Sequence, residues 1–190
     1  MGTFLEDFGR SQFFNPCPDC YDSLCPCSST VPKTGQTTSW ATGDDGDLER
    51  GVAQVSPRFT DNADGTVTDN QTGLIWLKDA NCFGPRTWYD ALSDSNGLSS
   101  GLCGLTDGSS AGDWRLPNYK ELMSLPEAEN YSPSLPSGHP FTNVQSSSYW
   151  SSTTWLFETD AAILVGMNLI GLGYYHKGND RYLWLVRGGH

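Results

Sequence analysis

GDWRLPNYKELMSL, residues 112–125, carries the reading of the fold. Asn118 has the chemistry of a helix N-cap, and Glu121 stands three positions on, where its carboxylate can reach back to the cap. Tyr119, Leu122 and Met123 mark the buried side of the short helix this predicts. Pro126 stops it, because the residue before a proline is driven out of the α region. Upstream, Trp114-Arg115-Leu116-Pro117 reads as an extended entry. A Trp there fills a core, and an Arg with five N–H donors satisfies nearby carbonyls. The stretch offers no obvious nucleophile or metal ligand, so its role reads as architectural.

Working outward, TWYDALSDSNGL (87–98) predicts a second helix. Thr87 and Asp90 have capping-box spacing, Trp88, Ala91, Leu92 and Ser95 make one face, and Gly97 suits the C-terminal turn. Cys82 precedes this helix and Cys103 follows it, so a Cys82–Cys103 bridge would pin the helix and its loop. Further upstream, RFTDN and TVTDNQTGLIWLK around ADG read as a β-hairpin over 57–78. Leu74 and Trp76 alternate with Ile75 and Leu77, which predicts a strand covered on both faces.

Downstream, residues 127–147 form a long Pro/Ser-rich loop containing His139. YWSSTTW then begins a strand. AAILVGMN, LGYYHK and RYLWLVRGG follow as three β runs, with turns at Gly171 and at Gly178-Asn179-Asp180. Tyr182, Trp184 and Val186 face one way and Leu183 and Leu185 the other, which places the last strand inside a sheet.

The totals agree with an α+β, loop-rich domain: 21 Gly, 11 Pro and 7 Trp among 190 residues argue against a helical bundle. Net charge is −11 with scattered basic residues, which argues against a nucleic-acid partner. No apolar run approaches a membrane span, and the N-terminal segment lacks the pattern of a signal peptide. The expected organisation is a cysteine-rich arm over 1–30, an extended lead-in over 31–56 and one domain over 57–190. In the arm, Cys17, Cys20, Cys25 and Cys27 crowd into CPDCYDSLCPC. Two local disulfides among them are the leading reading. One tetrahedral zinc is the competing reading, since four thiolates suit that ion, and free thiols are a third. The even cysteine count favours an oxidising compartment, extracellular or in the cell envelope.

The order of blocks adds a resemblance. RFTDNADGTVTDNQTGLIWLKDANCFG, the run from TWYDALSDSNGL through GDWRLPNYKELMSL, YWSSTTW and the late LVRGG resemble the Lcl C-terminal domain family, named for a bacterial collagen-like adhesin. The likeness covers about 57–189, more loosely 31–56, and not the arm. It implies a C-type lectin-like fold with two short helices and a mostly antiparallel sheet, similar also to the formylglycine-generating type, with Arg115 and Arg187 bracing the frame. Members often read Arg-Cys-Val-Arg-Gly-Gly near the end. This chain has Trp184-Leu185-Val186-Arg187, so a second core disulfide is not expected. Residues 155–184 also depart in texture, so the ligand is not inherited.

For chemistry, the sequence has three histidines (His139, His176 and His190) and none of the usual hydrolase, metalloprotease or phosphate-binding motifs. The late region holds no cysteine, unlike the formylglycine-generating relatives. We therefore expect no enzyme. Calcium is the candidate cofactor, through Asp44, Asp45 and Asp47 in GDDGDLERG and Asp61 and Asp64 in TDNADGTVTDN, although turn chemistry explains such clusters without an ion. The sugar-chelating triplets of calcium-dependent lectins are absent. What remains is a scaffold displaying a variable late surface, with Trp155, Phe157, Asn168, Tyr174, Tyr175, His176, Asn179, Arg181, Tyr182 and Trp184 as candidate ligand contacts. The expected role is a bacterial surface module for adhesion or recognition of glycan or protein. The alternatives are a fibre or pilus-like subunit that forms homo-oligomers through the cysteine arm, and a retroelement-diversified receptor.

Overall fold

The capping chemistry at Asn118 is present in full in the computed structural model, which describes residues 31–188. Asn118 Oδ1 accepts from the N–H groups of Lys120 and Glu121 at 2.9 and 3.0 Å. Glu121 returns the bond by accepting from Asn118 N–H at 2.8 Å. The four arm cysteines, Cys17, Cys20, Cys25 and Cys27, and the terminal His190 lie outside the described residues.

The elements in order are α1 (Asp45–Leu48), β1 (Phe59–Asp61), β2 (Thr66–Asp69), β3 (Ile75–Leu77), α2 (Trp88–Gly97), α3 (Tyr119–Met123), β4 (Ser148–Thr154), β5 (Ala161–Gly166), β6 (Gly171–His176) and β7 (Val186–Arg187). They make two antiparallel sheets, ordered β1-β2-β3-β7 and β4-β5-β6. The fold is thus α+β and loop-rich.

Two sequence expectations change, and the structure adds where the last strand goes. The run 57–78 is a three-stranded meander rather than one hairpin, because Asp69 breaks it. Its carboxylate accepts from Gln71 N–H and the Thr72 hydroxyl, both at 2.9 Å, and Gly73 takes a φ of 74° to complete the turn. The lead-in is not wholly extended: Asp44 caps α1 by accepting from Asp47 N–H at 2.9 Å. The final run touches β4 through the Tyr149–Tyr182 bridge and then leaves for the first sheet. β7 crosses to the first sheet, pairing with β3 on one side and bridging Arg115 through Val186 on the other. The last strand thus has a neighbour on each side, as read.

Tryptophan is what closes the core. Trp184 meets Trp76 at 5.7 Å, Phe141 at 4.7 Å and Tyr149 at 5.7 Å between ring centroids. A buried indole N–H needs an acceptor, and most find one in backbone. Trp184 donates to Leu77 C=O at 2.8 Å, Trp150 to Arg86 C=O at 2.9 Å and Trp88 to Ser151 C=O at 2.8 Å. Trp114 donates to Ser109 Oγ at 3.0 Å. The same bonds that satisfy the rings tie distant loops together. The Cys82–Cys103 disulfide spans α2 with a Cα–Cα distance of 5.7 Å. Beside it, Gly65 approaches the Gly104 backbone so closely that an added Cβ would lie 2.5 Å from that carbonyl oxygen.

The arginines brace the frame. Arg115 is bidentate to Glu121 at 2.7 and 2.8 Å and donates to Gly188 C=O at 2.9 Å. Arg187 lies 5.3 Å above the Trp114 ring and pairs with Asp107 at 2.9 Å. At Glu121, burial raises the carboxyl pKa. The hydrogen bond from Arg115, the Asn118 N–H and the Arg115 charge together outweigh it, so the net shift is downward. A carboxyl depressed on folding contributes stability above its ordinary value near 4.5 and loses it as pH falls through the lower folded value. Urea midpoints measured from pH 6 down to 3 should therefore fall less steeply for Glu121→Gln than for the natural protein. Parallel curves would remove Glu121 from the acid response.

Candidate ligand-binding face on the late strands

The face is built by the β4–β5 turn and the β5–β6 hairpin. Trp155 N–H donates to Ala161 C=O at 2.9 Å, and Ala161 N–H donates to Glu158 C=O at 2.9 Å, so residues 155–161 close on themselves. The register sets the rows: Val165 opposite Leu172, Ile163 opposite Tyr174, and Ala161 opposite His176. Directly opposed residues share a face, so Leu172, Tyr174 and His176 point the same way and Tyr175 points the other.

On the first face, half-buried Trp155 stacks on Tyr174 at 5.0 Å with ring planes 3° apart, and Phe157 adjoins Trp155 at 5.3 Å. Leu156 and Phe157 are 85% and 87% exposed. With Tyr119, Thr153, Thr154 and Ile163 these residues line a shallow, largely apolar cleft of about 410 Å³. One row along the same face from Tyr174, His176 Nδ1 meets Asp160 Oδ2 at 3.1 Å. Glu158, Asp160 and His176 offer ligand atoms within 4.8 Å of one another, spacing that suits a small cation. Behind the turn, Lys177 is buried. Its ammonium donates to Thr154 Oγ1 at 2.9 Å and Thr159 C=O at 2.8 Å and sits 4.2 Å above the Trp88 ring. On the opposite face Arg181 lies 3.8 Å over the Tyr175 ring.

The sequence candidates divide accordingly. Trp155, Phe157, Tyr174 and His176 come together. Tyr175 and Arg181 form a pair on the other face. Asn168 is exposed at the far end of the hairpin, where its C=O accepts from Ser132 N–H at 3.0 Å. Asn179 is exposed in the turn after β6 and donates through its side chain to His176 C=O at 3.3 Å. Tyr182 is half-buried against Tyr149 at 5.7 Å. Trp184 is not a ligand contact: it is 0% exposed and belongs to the core, because the segment leading into β7 lies against β3, with Leu77 N–H donating to Leu185 C=O at 2.9 Å. Residues not singled out from sequence include Leu156, Glu158 and Asp160, and Tyr119 reads there only as part of the buried side of its helix. The first three belong to the turn that carries Trp155 and Phe157, and Tyr119 reaches the cleft only through the packing of α3.

The aspartates named for calcium engage local donors. Asp44 accepts from Trp40 and Asp47 N–H at 2.7 and 2.9 Å. Asp45 accepts from the Thr34 hydroxyl, and Asp47 from Gly43 N–H at 2.8 Å. Asp61 pairs with Lys78 at 2.6 Å, and Asp64 accepts from Thr66 N–H at 3.0 Å. A second cleft, about 320 Å³, lies along the lead-in between Pro32, Gln54, Met123 and Ile170. Its cations are engaged within the protein, Lys33 with Glu49 at 2.9 Å and Arg58 with Asp69 at 3.3 Å.

Two antiparallel sheets, three short helices and a disulfide-pinned loop define a loop-rich α+β domain with its core closed by aromatic rings and one outer strand, β6, exposed at every residue. The chain belongs to the Lcl C-terminal domain family, whose model matches residues 65–187. Membership sets it among surface-associated, adhesin-like modules. No curated protein matches the chain. Among the described residues no helix is long and apolar enough to cross a membrane.

Proposed function

We propose that this domain is a non-enzymatic binding module acting outside the bacterial cell, holding a glycan or surface protein on the aromatic shelf of Trp155, Phe157 and Tyr174. One observation supports this most: the parallel Trp155–Tyr174 stack beside an 87% exposed Phe157, on an apolar cleft. Exposed aromatics grouped on one face are costly to leave in water, and rings offer flat surfaces to sugar C–H faces or apolar side chains.

The test is a glycan and matrix-protein array with the natural protein and Trp155→Ala. Binding should drop at least about tenfold, the equivalent of 1.4 kcal/mol. The variant should stay folded and melt only a few degrees lower, since Trp155 is half-buried in a turn and packs on Tyr174 and Phe157 rather than in the core. A variant that binds as well as the natural protein would remove the shelf from the reading.

A further inference from the structure

We infer that the shelf prefers a glycan built of hexosamine units with free, protonated amines over sulfated or uronic-acid polymers. This deepens, and rests on, the binding reading above.

The Ala161–His176 row follows the Ile163–Tyr174 row on the same face, about 7 Å along the strands. The ring stack is therefore followed at once by the Glu158–Asp160–His176 group, whose ligand atoms lie within 4.8 Å of one another and whose side chains are exposed. With its proton on Nδ1, His176 donates to Asp160 and orients that carboxylate. Glu158 adds a second carboxylate. A pyranose lying on Trp155 and Phe157 would then carry an amine substituent toward two carboxylates. An ammonium has three donors for them and gains further from neighbouring ring faces.

The nearby cations favour the same occupant. Lys177 is buried and spent on Thr154, Thr159 and Trp88. Arg181 lies over Tyr175, on the opposite face of β6. None of the residues lining the cleft is basic, and exposed Lys120 follows the lining residue Tyr119 in α3. A polyanion would meet two carboxylates on this rim and a chain of net charge −11 behind it. A shallow cleft flanked by flat rings suits a sugar ring better than the end of a lysine side chain.

Isothermal titration of the full chain at neutral pH and low salt, with EDTA present, should compare a deacetylated glucosamine hexamer, its N-acetylated counterpart, a heparin hexamer and hexalysine. The deacetylated sugar should bind at least tenfold tighter than the acetylated one and weaken as salt rises. The Glu158→Gln/Asp160→Asn variant should melt normally and lose that preference while still binding the acetylated sugar. Equal or tighter binding of the acetylated hexamer or heparin, still dependent on Trp155, overturns the amine preference and leaves the shelf intact. Tightest binding to hexalysine replaces the sugar with a basic peptide and overturns the inference. Binding of the deacetylated sugar only when EDTA is replaced by a divalent cation assigns the carboxylates to a metal and also overturns it. No binding of any probe overturns the inference and counts against the shelf itself.

Discussion

Trp114→Ala is expected to leave most of the protein unfolded, or close to it, at 37 °C. The ring is 1% exposed, its N–H is held by Ser109, and the Arg187 guanidinium rests on its face. Truncating a buried Trp costs about 3–5 kcal/mol. The damage extends further here. The Asp107 side chain is 0% exposed and Arg187 is its ion-pair partner, so loosening the ring weakens the positioning of a buried carboxylate. Set against a total stability of roughly 5–15 kcal/mol, that loss consumes much of the margin. Near-UV circular dichroism and urea midpoints would measure it, with Trp114→Phe as the milder comparison that keeps a ring and loses the N–H. If Trp114→Ala melts like the natural protein and only ligand binding suffers, Trp114 belongs to a binding site and its assignment to the frame is wrong.

The second large effect belongs to the disulfide. Cys82 and Cys103 are separated by 21 residues, and the loop they close contains all of α2. Closing a loop of this size stabilises by about 3 kcal/mol in the chain-entropy account. The Cys82→Ser/Cys103→Ser variant should therefore melt roughly 6–12 °C lower, at 2–4 °C per kcal/mol for a domain of this size. Calorimetry of the natural protein with reductant should show a drop of similar size, because the same cross-link is lost. A melting temperature that does not move in either experiment would mean that α2 is held by packing alone.

Much of the frame was legible because its signals are local. The Asn118–Glu121 box, the Thr87 cap and the cysteines flanking α2 each depend on residues close in sequence, so spacing suffices. Trp114 was readable as core from its place before a capped helix. The strands after residue 148 were harder. Tyr174 and Trp184 both sit in short alternating runs of aromatics, yet one is half exposed and the other wholly buried. The difference is made by pairing across long stretches of chain: β6 finds a neighbour on one side only, whereas β7 inserts between β3 and Arg115. No periodicity within either run encodes that choice. The one-turn helix α1 was hidden for another reason, since Asp-Asp-Gly-Asp reads equally as a turn. At the candidate site, Trp155, Phe157 and Tyr174 were singled out by residue type, while the convergence of Glu158 and Asp160 on His176 depends on the β5–β6 register.

The seating of Trp184 has a consequence for how the molecule is made. Its indole bonds to Leu77, 107 residues earlier, and shares a cluster with Trp76, Phe141 and Tyr149. During synthesis the early meander, with Trp76 on it, leaves the ribosome long before the residue that covers it. Such a long-range closure is slow and exposes sticky surface meanwhile. Closure of the cluster must therefore wait for the late residues, and a nascent chain halted before Trp184 would present an open aromatic cluster to chaperones and proteases rather than a smaller working domain.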